Sequence, residues 1–126
     1  MGQSTPLVPL ALVVEDDALQ RMTISDLLLD EHVQVVQCES AEAAELVLDR
    51  YGEVITILLT DMNLAGRMTG IELVKRARAK YPNLDIVVVS AHPQDVSDDI
   101  RFIRKPWQPL DIVREALRYP KRHSSR

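Results

Sequence analysis

The stretch LALVVEDD, residues 10–17, joins a short aliphatic run to three consecutive acids. The run Leu10–Val14 has the length and β-branched content of a strand. Glu15, Asp16 and Asp17 follow it directly. Functional side chains of open parallel sheets collect at the carboxyl ends of the strands. This stretch therefore predicts a strand and one part of a functional site.

Further aliphatic runs alternate with longer amphipathic stretches along the rest of the chain. This alternation is typical of βα units on a parallel sheet, so we expect an α/β fold with a doubly wound five-stranded parallel sheet. The predicted strands are 10–14, 33–37, 54–60, 86–90 and a short one at 100–103, and the predicted helices are 17–30, 41–51, 71–81 and 109–117.

Each predicted helix has an apolar face or a boundary signal. In the first helix, Leu19, Met22, Leu27 and Leu28 recur at helical spacing. Ser40 is a candidate N-cap for the helix at 41–51. The third helix is expected to stop before a proline, and the last to begin with one.

The interval between the last two predicted strands is unusually short. Residues 91–101 contain Pro93, Ser97 and the adjacent acids Asp98 and Asp99, and only about one helical turn fits among them. Parallel strands are usually connected by a dozen or more residues. We therefore expect a shortened or missing fourth helix.

Bulk composition favours one soluble globular domain. The chain has 126 residues, 46% of them apolar, and a net charge of -4 with both signs dispersed. Such dispersed charge argues against a nucleic-acid surface, and no apolar run approaches the roughly 20 residues that span a bilayer. The lone Cys38 is compatible with a reducing cytoplasm, which is the expected location.

Polar side chains at the predicted carboxyl edge have a common chemistry. Asp61, Ser90 and Lys105 join Glu15 and Asp16 there if the first and third strands are neighbours. Like charges about 4 Å apart repel by roughly 4 kcal/mol at an effective dielectric near 20, so the carboxylates need a cation. Oxygen ligands without His or Cys suit Mg²⁺. A cation, a hydroxyl, an ammonium and a nucleophilic carboxylate are the parts that hold a phosphoryl group.

Five motifs occur in the same order and at the same spacing as in a known family. They are VVEDD at 13–17, LLTDMNL at 58–64, GIEL at 70–73, VVVSA at 87–91 and FIRKP at 102–106. At these residues the chain resembles the receiver domain of bacterial two-component response regulators, in particular the stand-alone, chemotaxis-type receivers. The resemblance covers almost the whole chain and implies a flavodoxin-like strand order, 2-1-3-4-5.

The resemblance also implies a role for each site residue. Asp61 would be the phospho-acceptor, Asp16 a direct Mg²⁺ ligand, and Glu15 a helper through water or hydrogen bonds. Asn63 would contribute a backbone carbonyl to the metal. The remaining roles are those of Ser90 as switch hydroxyl, Phe102 as switch aromatic, Lys105 as partner of the phosphoryl group, and Pro106 after a cis peptide bond.

The chain departs from the family's common pattern after the acceptor. Ala65 stands where proline is usual, and the segment 66–70 is one residue longer than the commonest form. Loop length is tolerated at low free-energy cost, so the site is expected to survive. The short interval before Phe102 changes the face that commonly serves for dimerisation or output. A homodimer through a different face is one alternative, with Trp107 either its anchor or a residue at the edge of the core.

The resulting expectation is a single-domain response regulator rather than an enzyme. Residues 1–9 would be an extension, 10–118 the receiver domain and 119–126 a basic tail. It would accept a phosphoryl group from a histidine kinase with Mg²⁺ as cofactor, and would signal through an effector or a histidine phosphotransfer protein.

Two other classes remain as alternatives. An aspartyl-phosphate hydrolase usually has a second acid where Asn63 stands, and a degenerate receiver used only for binding would not need the complete set of site residues. Asn63 and His92 lie where the family tends to tune the lifetime of the phosphoryl group.

Overall fold

The computed structural model describes residues 8–92 and 99–118. Strands and helices alternate along this part of the chain. The elements are β1 (Leu10–Val14), α1 (Ala18–Asp30), β2 (Gln34–Cys38), α2 (Ala41–Tyr51), β3 (Ile57–Asp61), α3 (Gly70–Lys80), β4 (Asp85–Ser90), β5 (Arg101–Arg104) and α4 (Pro109–Ala116).

The strands form one parallel sheet in the order β2-β1-β3-β4-β5. Leu12 of β1 lies beside Val36 of β2 and Leu58 of β3, so β1 is an interior strand. The register also places Val89 of β4 beside Ile103 of β5. The predicted α/β fold and its strand order are confirmed.

Helices cover both faces of the sheet. Successive side chains of a strand point to opposite faces, so Leu12 and Val14 enter one core and Ala11 and Val13 the other. The first core is closed by α2 and α3, and the second by α1 and α4. Each layer is aliphatic and contains buried residues from three of the strands or more, which makes the sheet a rigid base for the loops at its edges.

Local capping explains where several helices begin. The Asp17 side chain accepts a hydrogen bond from the Gln20 N–H, and Ser40 does the same for the Ala43 N–H, as predicted for Ser40. Thr69 and Glu72 form a reciprocal capping box at the start of α3. These caps position the helix N-termini that follow β1, β2 and the loop after β3.

The expected apolar face of α1 is wrong in two positions. Leu19 and Met22 are 75% and 54% exposed, while Ile24, Ser25 and Leu28 are buried. Ser25 tolerates burial because its hydroxyl donates to the Arg21 carbonyl of the same helix at 2.8 Å. The pattern of apolar residues therefore predicts the wrong side of α1 as the side that packs against the sheet.

The bounds of four strands also differ from the expectation. The fourth strand begins one residue earlier, at Asp85, and the fifth is displaced by one residue to Arg101–Arg104. The third strand begins only at Ile57. Val54 lies in the turn after α2, where its N–H donates to the carbonyl of Tyr51, the last residue of that helix. The second strand is displaced by one residue and ends at Cys38, where it pairs with the end of β1.

The expected shortening or loss of the fourth helix falls mostly on residues 93–98, outside the described residues. On either side, His92 and Asp99 belong to neither a helix nor a strand. Among the helices of the described residues, none is long and apolar enough to cross a membrane.

Candidate functional site

Three acids meet at the carboxyl edge of the sheet. Glu15 follows β1 and Asp61 ends the neighbouring β3, which brings their side chains together with that of Asp16. One carboxylate oxygen from each lies within 4.8 Å of the others. Glu15 and Asp61 are only 3% and 4% exposed, whereas Asp16 is open to solvent. The cluster is therefore buried on one side and accessible on the other.

Burial and repulsion change the protonation of Glu15. Desolvation raises the pKa of Glu15 to about 7, and the neighbouring Asp61 and Asp16 act in the same direction. The Asp17 N–H donates to the Glu15 carboxylate at 3.0 Å and partly opposes this rise. The raised pKa reflects first the burial of the Glu15 carboxyl and second its position beside two other acids.

Lys105 supplies the positive charge of the site. Its Nζ lies 2.7 Å from Oδ2 of Asp61, and its side chain is 27% exposed. The Lys105 N–H donates to the Ser90 carbonyl at 2.9 Å, and the peptide bond to Pro106 is cis, as expected. The end of β5 thus directs an ammonium group across β4 to the end of β3.

Ser90 ends β4 and is 1% exposed. Its hydroxyl donates to the sulfur of Met62 at 3.4 Å and accepts a hydrogen bond from the His92 N–H at 3.0 Å. A thioether is a weak acceptor, so the hydroxyl is held loosely in this orientation. Phe102 is partly buried and packs against the core on the α2 and α3 side.

The β3–α3 loop, residues 62–69, is fastened to the acid cluster. The Asn63 N–H donates to Oδ1 of Asp61, and the Ala65 N–H donates to Oδ2 of Asp16, both at 3.0 Å. Gly70 begins α3 against the end of β3, where an added Cβ would overlap the Asp61 carbonyl oxygen. Glycine is therefore needed at this position for α3 to start beside the site.

The donors of this edge fit a hard divalent cation. They are carboxylate and backbone oxygens, and the group of candidate ligands formed by Glu15, Asp16 and Asp61 includes no His or Cys. The open side at Asp16 leaves room for the waters that Mg²⁺ retains. Chemically, the edge combines a buried carboxylate with acids suited to a cation, an ammonium and a hydroxyl.

Most of the predicted site residues come together here. Carboxylate oxygens of Glu15, Asp16 and Asp61 lie together, and Lys105 contacts Asp61 through its Nζ and Ser90 through its N–H. Asn63 is attached to Asp61 through its own N–H. Phe102 packs against the core on the α2 and α3 side instead of joining the acids. Sequence reasoning missed Met62, whose only signal is its place next to Asp61, and Glu42, which resembles an ordinary acid in the first turn of a helix.

This fold and this edge define the class of receiver domains. The family model for the response regulator receiver domain matches residues 11–116, and the chain belongs to that family.

Relatives of known name support the same assignment. The chain is 38% identical over 81 residues to response regulator protein FleR of Pseudomonas aeruginosa, a match that covers 64% of this chain and 16% of FleR. It is 30% identical over 115 residues to two-component response regulator ORR5 of Oryza sativa subsp. japonica, with 84% of each chain covered. The chain thus spans a small part of one relative and most of the other.

Solved structures agree in fold. The response regulator receiver domain protein from Clostridium thermocellum superimposes with a TM-score of 0.82 at 16% identity, covering 91% of this chain and 96% of that one. At this identity the likeness shows the fold alone.

Proposed function

We propose that this receiver domain accepts a phosphoryl group on Asp61 from the phosphohistidine of a histidine kinase and later loses it to water. The observation that supports this most directly is the 2.7 Å contact between Lys105 Nζ and Asp61 Oδ2 inside an otherwise acidic, largely buried cluster. A lysine beside a nucleophilic carboxylate can neutralise the oxygens of an incoming phosphoryl group.

The transfer requires only one nucleophile. A carboxylate oxygen of Asp61 forms the new P–O bond, the P–N bond to the donor imidazole breaks, and the imidazole nitrogen keeps the electron pair. Lys105 stays with the transferred group, which accepts a hydrogen bond from the Ser90 hydroxyl. To reorient, the Ser90 hydroxyl breaks its hydrogen bond to the Met62 sulfur, and this requires little free energy because a thioether is a weak acceptor.

Mg²⁺ is the cofactor that these residues would hold. Asp16 and Asp61 would be the carboxylate ligands, Asn63 would add its backbone carbonyl, and Glu15 would act through water or hydrogen bonds. When bound, the ion supplies positive charge that neutralises the phosphoryl oxygens. The fit rests on the oxygen donors and on the negative charge left over after pairing with Lys105.

Docking of the kinase, or of a histidine phosphotransfer protein, would use the helices beside the site. Leu19 and Met22 at the start of α1 are exposed, and so is Leu110 at the start of α4. Both helices cover the same face of the sheet, so their first turns border the carboxyl edge together. Exposed apolar side chains next to the acceptor suit a partner that must bring its phosphohistidine to Asp61.

Domain limits, location and assembly stay predictions. The receiver domain would span 10–118, between the extension and the basic tail, in the cytoplasm. Trp107 is half-buried and packs against the core on the α1 and α4 side, which favours its position at the core edge over the interface anchor. The homodimer through a non-standard face therefore rests on the short interval after Ser90 alone.

The test is the mass of the intact protein after incubation with acetyl phosphate and Mg²⁺. The wild type should gain about one phosphoryl group, and the gain should vanish with EDTA and in Asp61→Asn. Asp49→Asn, an exposed acid of α2, is the matched control and should be phosphorylated normally. If neither acetyl phosphate nor a purified histidine kinase modifies the wild type, the degenerate-receiver alternative is correct.

The hydrolase alternative predicts a different result. A hydrolase would turn over a generic phosphomonoester many times, whereas a receiver reacts at most once before slow hydrolysis. Asn63 in place of the second acid of such hydrolases favours the receiver.

A further inference from the structure

The β3–α3 loop is held almost entirely by carboxylates. The N–H groups of residues 63, 65, 67, 68 and 69 each donate to an Asp or Glu side chain. Two of these acceptors, Asp61 and Asp16, belong to the acid cluster. The other two are Glu72, which caps α3, and Glu42 of α2.

Glu42 takes the middle of the loop. Its Oε2 accepts the Arg67 N–H at 2.9 Å and the Met68 N–H at 2.8 Å. Gly66 has φ 113 and faces the same carboxylate, since a Cβ there would lie 3.1 Å from Oε1 of Glu42. Only glycine adopts such a φ readily, so the loop turns toward Glu42 at this point.

Hydrogen bonds from the backbone keep this carboxylate ionised. The pKa of Glu42 lies below its ordinary value because backbone N–H groups, its own first and then that of Met68, donate to the charged form. The side chain is thus a charged acceptor at neutral pH, which makes its hydrogen bonds stronger than those of a neutral group.

We propose that Glu42 is a positioning residue that holds the β3–α3 loop, and with it the Asn63 carbonyl, in the arrangement that binds the divalent cation. This inference rests on the proposed function. A cation held at Asp16 would compete with the Ala65 N–H for the carboxylate and would weaken that attachment of the loop. Glu42 lies outside the acid cluster, so its two hydrogen bonds to the loop do not compete with a cation there.

A set of substitutions at Glu42 separates reach from charge. Glu42→Gln keeps an oxygen at the same distance without the charge, and Glu42→Asp keeps the charge but is one methylene too short. Glu42→Ala removes both. Glu45→Ala is the matched control, because Glu45 lies on the same helix and pairs with Arg76 at 2.7 Å instead of with the loop.

Two measurements follow. Mg²⁺ affinity is measured by calorimetry, and amide hydrogen exchange at Arg67 and Met68 is measured by NMR in the metal-free protein. We expect Glu42→Ala and Glu42→Asp to bind Mg²⁺ about three- to tenfold more weakly and to exchange these amides faster. Glu42→Gln should fall between Glu42→Ala and the wild type in both readouts, because it keeps the acceptor oxygen but loses the charge. Glu45→Ala should match the wild type within about twofold.

The outcomes distinguish this inference from the proposed function. A wild type that binds no Mg²⁺ overturns both. A wild type that binds Mg²⁺ with unchanged affinity in Glu42→Ala and Glu42→Asp overturns only the positioning role. If Glu42→Gln is as weak as Glu42→Ala while Glu42→Asp binds normally, the carboxylate acts by charge alone, and positioning is wrong. Should Glu42→Ala fail to fold, the Gln and Asp variants decide the question.

Discussion

Opposite edges of the sheet treat buried charge differently. At the amino edge, Asp85 of β4 is 4% exposed and pairs with Arg101 of β5 at 2.7 Å. Arg101 also contacts Glu115 at 3.2 Å, and Glu115 contacts Arg118 at 3.3 Å. We refer to Asp85, Arg101 and Glu115 as the amino-edge cluster. Its acids have arginine partners within the chain.

The carboxyl-edge cluster, Glu15, Asp16, Asp61 and Lys105, has an excess of acids. Among the ion pairs of the described residues, its acids have a single cationic partner, Lys105. Both edges bury carboxylates, and at the carboxyl edge burial raises the pKa of Glu15 to about 7. A buried acid with its partner in place is structural, whereas a surplus of buried acids indicates a site that awaits a cation.

The largest expected effect comes from breaking the amino-edge cluster. Arg101→Met leaves Asp85 buried without this partner, and we expect the free energy of unfolding to fall by about 3 kcal/mol. Urea denaturation at pH 7 measures the change. Arg104→Met on the same strand is the control, since Arg104 is exposed and should matter little. Equal stability of the two variants would remove the distinction between the edges.

A pH titration tests the surplus charge at the carboxyl edge. The folded-state pKa of Glu15, about 7, exceeds its ordinary value of 4.5, so the folded protein binds this proton more tightly than the unfolded chain. Its contribution is present below about pH 4.5 and is lost as the pH rises through about 7. The metal-free protein should lose on the order of 2 kcal/mol across this window.

Glu15→Gln is the control. The free energy of unfolding of both proteins is measured by urea denaturation in EDTA from pH 5 to pH 8. Only the wild type should show this loss, and Mg²⁺ should reduce it. Parallel stability curves for the two proteins would contradict the pKa assignment.

Asparagine substitutions should have opposite signs at the two edges. Asp61→Asn removes one surplus charge and should raise the stability of the metal-free protein by about 1 kcal/mol at pH 8. Asp85→Asn removes one of the two acidic partners that contact Arg101 and should lower stability. Thermal unfolding of both variants in EDTA measures the pair. A loss of stability in Asp61→Asn would mean that its contact with Lys105 outweighs the repulsion.

The smallest effect is expected for exposed charge on the helices. Arg76 and Glu45 join α3 to α2 at 2.7 Å, but the Arg76 side chain is 60% exposed. Arg76→Ala should leave the free energy of unfolding close to that of the wild type, and any change should shrink in high salt. A double-mutant cycle with Glu45→Ala isolates the pair. A coupling energy as large as the loss of stability expected for Arg101→Met would show that burial does not explain why the buried and exposed ion pairs differ in their contribution to stability.

Prediction from the sequence was most reliable where it used short segments and the residues that directly follow them. Apolar runs located the strands, and the polar residues after them, Glu15, Asp61 and Ser90, lie at one edge because parallel strands end together. It was less reliable where burial depends on the orientation of a helix. The polar Ser25 is buried and the apolar Leu19 is exposed, and polarity alone predicts the opposite for both residues.

The parallel sheet and the polar residues at its carboxyl edge were determined by the sequence itself. Strand periodicity and the chemistry of carboxylate, hydroxyl and ammonium groups are local properties of the residues. Only the tertiary structure decided the partners of these groups. Glu42 reaches Arg67 and Met68, and Arg101 reaches Asp85, because α2 and β5 are brought beside distant segments of the chain. Such contacts depend on distances and burial that exist only after the layers have packed, so no local pattern encodes them.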